Sequence, residues 1–375
     1  DTPMMLYALQ NAGFALQPGQ WIVQHNAADE IAVYLHPVDP ANLADKIEIS
    51  LRPACIDFGA AQGVELFGLE VLRAAGQARL DGICIRRSGD TAKPDSGGGK
   101  LKILHCRVGE NISGGDRGYA ALYLRGARDS TLHHNSIGPA RNSFGLFLSD
   151  CTNADLRFLH IAGVSKSPAR FFGLRQAVLA FSLFEDSAYD AHANKFNFYE
   201  GSDTVLIYGV RSRRVGGYAT YQEASRIYFA FCELDCAPQS QGRALVSQNR
   251  KAGSQQGGAD GSGDPVAGQT FYYWNNSLLA DPGAADLANA LVLGPAGSSQ
   301  SHAFHNNILH GGGFPDIYGG KADASFEHRS HNCYTGLSSW QKPRYGWSFG
   351  LGEKTIRIGE RPEHEGLDMR PVITR

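Results

Sequence analysis

Residues 122–137 read LYLRGARDSTLHHNSI. A short alternating run leads, with Leu122 and Leu124 either side of Tyr123; a polar turn follows, and a second alternating run ends on Ile137. The arrangement returns in LFLSDCTNADLRFLHI at 146–161 and in FNFYEGSDTVLIYGV at 196–210. Alternation with period two marks a strand with one face buried. The leading apolar residues fall at Leu122, Leu146, Phe171, Phe196, Tyr221 and Leu245, with spacings of 24, 25, 25, 25 and 24. Val292 and Ile317 continue the series 25 apart, after one interval of 47 that carries an insertion. Strands of three to five residues, separated by polar and glycine turns at this period, predict an all-β chain: a parallel β-helix whose coils stack and bury their inward residues. The Leu-x-x-Leu-x-Leu-x-x-Asn pattern of a leucine-rich repeat is absent. Leu122, Leu146, Phe196 and Leu245 are expected to share one inward column.

Composition agrees. Glycine supplies 45 of 375 residues, well above its usual share of about 7%, and it is spread without a collagen period. Apolar residues make up 42% and charged residues 19%, as in a folded chain. The formal net charge of −2 gives no bulk attraction to nucleic acid, and no apolar run is long enough to span a membrane. Asparagine recurs before the apolar residue that closes the second strand, at Asn135, Asn276 and Asn307. That placement predicts a ladder of side chains satisfying turn amides. Of seven cysteines, Cys232 and Cys236 are close enough in sequence to pair; the others read as small core residues. No spacing fits zinc. His133, His134, His302, His305 and His310 read as turn or surface residues, and no Asp-x-Asp-x-Asp run supports calcium, so no cofactor or metal is expected.

The start of the chain differs. Residues 21–25 (WIVQH) and 31–37 (IAVYLHP) alternate around a polar turn and predict a β-hairpin, within a cap of residues 1–54. Arg52-Pro53 and Ile56-Asp57 then lead into the first coil. This hairpin and first coil resemble those of bacterial right-handed parallel β-helix proteins of carbohydrate-active families: glycoside hydrolases, polysaccharide lyases and uronan epimerases. The resemblance spans roughly residues 20–335. It implies right-handed coils over 55–335, a polysaccharide or oligosaccharide substrate, and a secreted or periplasmic location. Residues 336–375 are expected to cap the far end, with Trp340, Tyr345, Trp347 and Phe349 among charges. The given sequence does not open on a secretory signal, so the chain reads as processed or partial.

A packed β-helix binds substrate on its outside. The densest polar cluster runs from Glu185 and Asp186 through Asp190, His192, Lys195, Asn197 and Tyr199 to Glu200. With Phe196 and Phe198 inward, Lys195, Asn197 and Tyr199 are expected on the outer face. Asp190 and His192 form an Asp-x-His pair suited to proton transfer. Glu200 and Glu223 follow the first strands of adjacent coils, so they are expected about 5 Å apart, the separation that a retaining glycosidase needs. These five (Asp190, His192, Lys195, Glu200 and Glu223) are the catalytic candidates, and glycoside hydrolysis is the favoured reaction.

Arg141, Asn142, Arg170 and Arg243 lie at or near the leading edges of other coils, and with Asn197, Tyr199, Tyr221 and Gln222 they are the candidates for binding substrate. A row of cations with Tyr or His also suits β-elimination or epimerisation of uronates, and a non-catalytic glycan-binding β-helix is a third reading. The glycine-rich stretch 251–264, within an insertion near 251–269, reads as a loop bordering the cleft. Deleting 251–264 should weaken substrate binding and leave thermal unfolding nearly unchanged, a contrast that calorimetry and binding titration on the same protein will measure.

Overall fold

The computed structural model describes residues 20–25, 31–36, 54–75, 82–88, 100–113, 119–187, 194–199, 201–216, 219–222, 224–235, 245–248, 269–279, 291–293, 300–310, 316–317, 326–335 and 354–356. The chain divides into two units, Asp1–Ser50 and Leu51–Arg375. In the first, Gln20–His25 pairs antiparallel with Ile31–His36, with Trp21 opposite Leu35. The second unit holds the coils. Among the described residues it contains three long parallel sheets and no helix. The first and second sheets have ten strands each and the third has eleven. The chain visits them in turn: Ala120–Arg125, Ser130–His133 and Ser136–Ile137 make one coil, and Phe144–Ser149, Asp155–Arg157 and His160–Ala162 make the next. This is a parallel β-helix. The strand Lys354–Ile356 adds to the third sheet beside Cys333–Thr335.

Backbone pairing fixes the columns. Ile85, Leu122, Leu146, Ala169, Phe196, Ala219, Leu245 and Leu291 lie in one register, so the four residues expected to share a column do so. Phe171 and Tyr221 do not belong to it. They fall two positions later, in the register of Leu124, Leu148 and Phe198. The strands Ala120–Arg125, Phe144–Ser149, Ala169–Phe172 and Phe196–Tyr199 each have two inward apolar positions, and coil length varies, so a spacing near 25 cannot tell one register from the other. Val292 is likewise one residue off: Leu291 pairs with Leu245, and Val292 pairs with Asp316. The inward residues from Val71 to Leu309 form one continuous buried cluster. His302 is inside as well, stacked on Phe271 at 5.2 Å. Burial pushes its pKa down to about 3, so it is a neutral core imidazole and not a surface residue.

The corner between the second and third sheets repeats one device. A single residue takes left-handed backbone angles, among them His105, His134, Phe158, Phe181, Phe231, Asn275, Asn306 and His331. The residue after each is buried: Cys106, Asn135, Leu159, Ser182, Cys232, Asn276, Asn307 and Asn332. The expected ladder is here, and it includes Asn332 as well. Asn307 Oδ1 accepts from the backbone N–H of Asn276 at 3.0 Å, and its Nδ2 donates to the Tyr273 carbonyl at 3.0 Å. Asn332 does the same for Asn307, at 2.8 Å, and for the Phe304 carbonyl, at 3.0 Å. Where the ladder lacks asparagine, Ser182 Oγ accepts from Leu159 N–H at 3.1 Å and Cys232 Sγ from Val210 N–H at 3.4 Å.

Outside the corner, rings stack from coil to coil. His105 lies 4.8 Å from His134, and His134 lies 4.6 Å from Phe158. The rings meet face to face, so their faces are spent on each other and only their edges meet solvent.

Replacing Asn307 by Ala leaves the buried amide of Asn276 without its acceptor and takes one donor from the carbonyl of Tyr273. Each such loss costs about 1–3 kcal/mol. Denaturant unfolding should show a fall of roughly 2 kcal/mol or more, whereas Ser136→Ala, at an exposed strand position, should change little.

Candidate active site

The strand Ala169–Phe172 reads ARFF, and its alternation decides the site. Ala169 and Phe171 are buried, so Arg170 and Phe172 face outward. Parallel pairing sets Arg170 between Phe147 on the coil before and Asn197 on the coil after. The same ladder sets Phe172 between Ser149 and Tyr199.

The guanidinium of Arg170 lies over four rings: Phe144 and Phe172 at 4.9 Å each, Tyr199 at 5.0 Å and Phe147 at 5.7 Å. Phe172 and Tyr199 stack at 4.5 Å, and Tyr123 meets Phe147 edge-on at 5.1 Å. Asn197 Nδ2 donates to the Tyr199 hydroxyl at 2.8 Å. Arg170 Nε and Asn197 Oδ1 are buried with no hydrogen-bond partner. Burial holds the Arg170 pKa below its ordinary value, and the neighbouring Tyr199 phenol opposes that shift. Among the described residues this cation is held by ring faces and not by a carboxylate, and its Nε–H is unspent.

Beyond Phe172 the chain turns through Gly173, whose backbone is left-handed. A Cβ there would stand 3.0 Å from Asp150 Oδ1, so glycine suits the turn on both counts. Past it, along the corner to the second sheet, lies a groove of about 540 Å³. Its lining includes Arg128, Arg175 and Arg226 against Asp129 and Asp203. Arg226 Nε bonds Asp203 Oδ1 at 2.7 Å and holds that carboxyl below the usual range. Asp129 accepts from Asn153 at 2.6 Å, and Arg175 Nε donates to the Gly201 carbonyl at 3.3 Å. With both acids engaged locally, the groove carries an excess of positive charge.

Three of the expected binding residues, Arg170, Asn197 and Tyr199, are therefore brought together. The others are not joined to them by the described geometry. Lys195 stands one residue ahead of its strand, where the chain rounds the corner between the third and first sheets. It is fully buried, and its Nζ donates to the Val215 carbonyl at 2.7 Å. The expectation that it lines the outer face is corrected: the alternation that places Asn197 and Tyr199 does not extend back past Phe196. Arg141 belongs to a short ladder with Ile112, and Asn142 donates to the Ser113 carbonyl at 3.0 Å. Glu185 and Asp186 are engaged on the third sheet, by His160 at 2.8 Å and Arg214 at 2.6 Å.

Tyr221 takes the register of Phe198, and Gln222 the position after it; their side chains lie outside the described residues. Asp190, His192, Glu200, Glu223 and Arg243, together with the 251–264 loop and Cys236, also lie outside them.

The rings around Arg170 were missed from sequence. Phe144, Phe147 and Phe172 each sit in an apolar strand and read as core; only the pairing of three coils reveals that all three rings meet one cation.

No protein-family model matches the chain, and no curated protein matches it in sequence. Among solved structures, it is similar to the A-module of the mannuronan C-5 epimerase AlgE6 from Azotobacter vinelandii, at 10% identity over 79% of this chain and 91% of that one, with a TM-score of 0.35. It is also similar to an alginate lyase from Paenibacillus sp. str. FPU-7, at 10% identity over 76% and 99%, with a TM-score of 0.30.

Proposed function

We propose that the protein acts on an acidic polysaccharide and works at C5 of a uronate, by β-elimination or epimerisation. The observation that carries this reading is Arg170, a half-buried cation beside a phenol, with no carboxylate partner among the described residues. A uronate carboxylate supplies the missing acceptor. Its charge would be neutralised by the guanidinium, and neutralisation makes the adjacent C5–H more acidic. Tyr199, its oxygen fixed by the Asn197 amide, is the proposed group that exchanges the C5 proton. His192 and Asp190, four and six residues before the strand Phe196–Tyr199, remain the proposed second proton carrier and its orienting acid. Expulsion of the O4 substituent from the resulting carbanion gives elimination; return of a proton to the opposite face gives epimerisation. The rings around the guanidinium exclude water and strengthen its hold on the carboxylate. The positive groove beyond Gly173 would take up further uronates of the same chain. Such a polymer is met outside the cytoplasm, which keeps a secreted or periplasmic location within the proposal.

Hydrolysis, favoured from sequence, rested on Glu200 and Glu223 as an equivalent pair, and neither is among the described residues. The placed residues offer a cation and a phenol, which suit C5 chemistry.

The test is incubation with polyuronates in deuterated water, followed by absorbance of the unsaturated product and by NMR of C5. Absorbance signals elimination, and deuterium at C5 without absorbance signals epimerisation. New reducing ends with neither would restore hydrolysis, and binding with none of the three would make this a glycan-binding protein. Tyr199→Phe keeps the ring stack and should lower the rate by about 10²–10⁴ with little change in affinity. Arg170→Lys should also lose activity, since an ammonium lacks the planar fork.

A further inference from the structure

The first two strands of the first sheet bring two cysteines together. Ala54 pairs with Ile83 and Ile56 with Ile85, so Cys55 and Cys84 stand directly across a parallel ladder. Neighbouring strands are about 4.8 Å apart, which falls within the Cα separation that a disulfide spans, roughly 4.4–6.8 Å. Both side chains leave their strands in the same direction. Cys55 Sγ lies 3.7 Å from the Leu72 carbonyl and Cys84 Sγ 3.2 Å from the Gly109 carbonyl, and Leu72 and Gly109 are themselves partners in the third sheet. Cys106, Cys151 and Cys232, by contrast, are buried one by one, each with its Sγ on main-chain carbonyls. Only Cys55, among the described cysteines, is exposed.

We propose that Cys55 and Cys84 form a disulfide in an oxidising compartment and that it ties the first coil to the second. The position gives the bond something to do. Among the described residues, Ala54–Asp57 is the end strand of its sheet and has a strand neighbour on one side only. End strands are the first part of a stacked array to open. A bond between residues 55 and 84 closes a loop that contains the whole first coil and holds that end shut.

The chemistry is asymmetric. The neighbouring Cys84 thiol lowers the Cys55 pKa to about 7, so a thiolate is present near neutral pH. The same proximity, with burial, pushes Cys84 far up. The exposed Cys55 thiolate attacks a small disulfide such as oxidised glutathione. The oxidant's S–S bond breaks, one glutathione leaves as thiolate and takes up a proton, and Cys55 carries the other. Cys84 then gives up its proton and attacks the Cys55 sulfur, forming the Cys55–Cys84 bond and expelling the second glutathione. Two protein thiols are oxidised by two electrons, and one disulfide is reduced to two thiols. Attack by the buried Cys84 is the slower step, because its thiolate is scarce.

The experiment treats the full chain with oxidised glutathione under native conditions and compares it with the chain kept in dithiothreitol. The expected product is lighter by two hydrogens, yields a proteolytic peptide joining Cys55 to Cys84, and melts a few degrees higher. Cys55→Ser, at an exposed position and so expected to fold, should abolish both the link and the gain in Tm. Cys84→Ala should instead stop at a stable glutathione adduct on Cys55. A wild-type adduct on Cys55 that never resolves would overturn the site, as would a link through another cysteine. A Cys55–Cys84 link without a rise in Tm would overturn its role as a tie.

Discussion

Every coil of this molecule must turn a sharp corner without leaving a buried amide unpaired. That constraint governs the corner between the second and third sheets. One residue in the left-handed region turns the chain at a cost of about 1–3 kcal/mol when it is not glycine. An unsatisfied buried N–H costs about as much again. The turn is therefore tolerable only when the next residue faces inward and caps the amide of a neighbouring coil, as Asn307 caps Asn276 and Asn332 caps Asn307. Ser182 and Cys232 do the same with a single acceptor atom. Asparagine does more, since its amide also donates to a carbonyl one coil back.

The strain of the left-handed residue is met in two ways. Asn275, Asn306, His105, His134 and His331 are residue types that visit this region with less penalty. Phe158, Phe181 and Phe231 are not, and their rings join the stack outside the corner, where an aromatic pair contributes about 0.5–1.5 kcal/mol. Corner geometry thus propagates along the axis: fixing one coil's turn sets where its neighbour's amide and ring must lie.

The same stacking builds the candidate site. Register places Arg170 between coils that offer Phe147 on one side and Asn197 on the other, while Phe172 and Tyr199 close the ring of contacts from the adjoining column. No single coil contains the site. A shift of one residue in any of the three strands would turn its outward side chains into the core and dissolve the arrangement, so the chemistry depends on the same ladder that stabilises the fold.

The period near 24, the alternating strands and the recurring asparagines were sufficient by themselves to determine a parallel β-helix, because coil length, strand parity and corner chemistry are local properties of the chain. Arg170, Asn197 and Tyr199 were legible for the same reason: each is a polar residue at an outward position of an otherwise apolar strand. Tertiary structure alone decided what local pattern leaves open. It set which of two inward columns Phe171 and Tyr221 join, that Lys195 turns into a corner toward the Val215 carbonyl, and that His302 lies in the core. It also brought Phe144, Phe147 and Phe172 around one guanidinium and set Cys55 against Cys84. These facts depend on the length of each coil, and that length shifts by a few residues wherever a corner loop grows or shrinks. Only the hydrogen-bonded pairing of whole strands converts those lengths into neighbours.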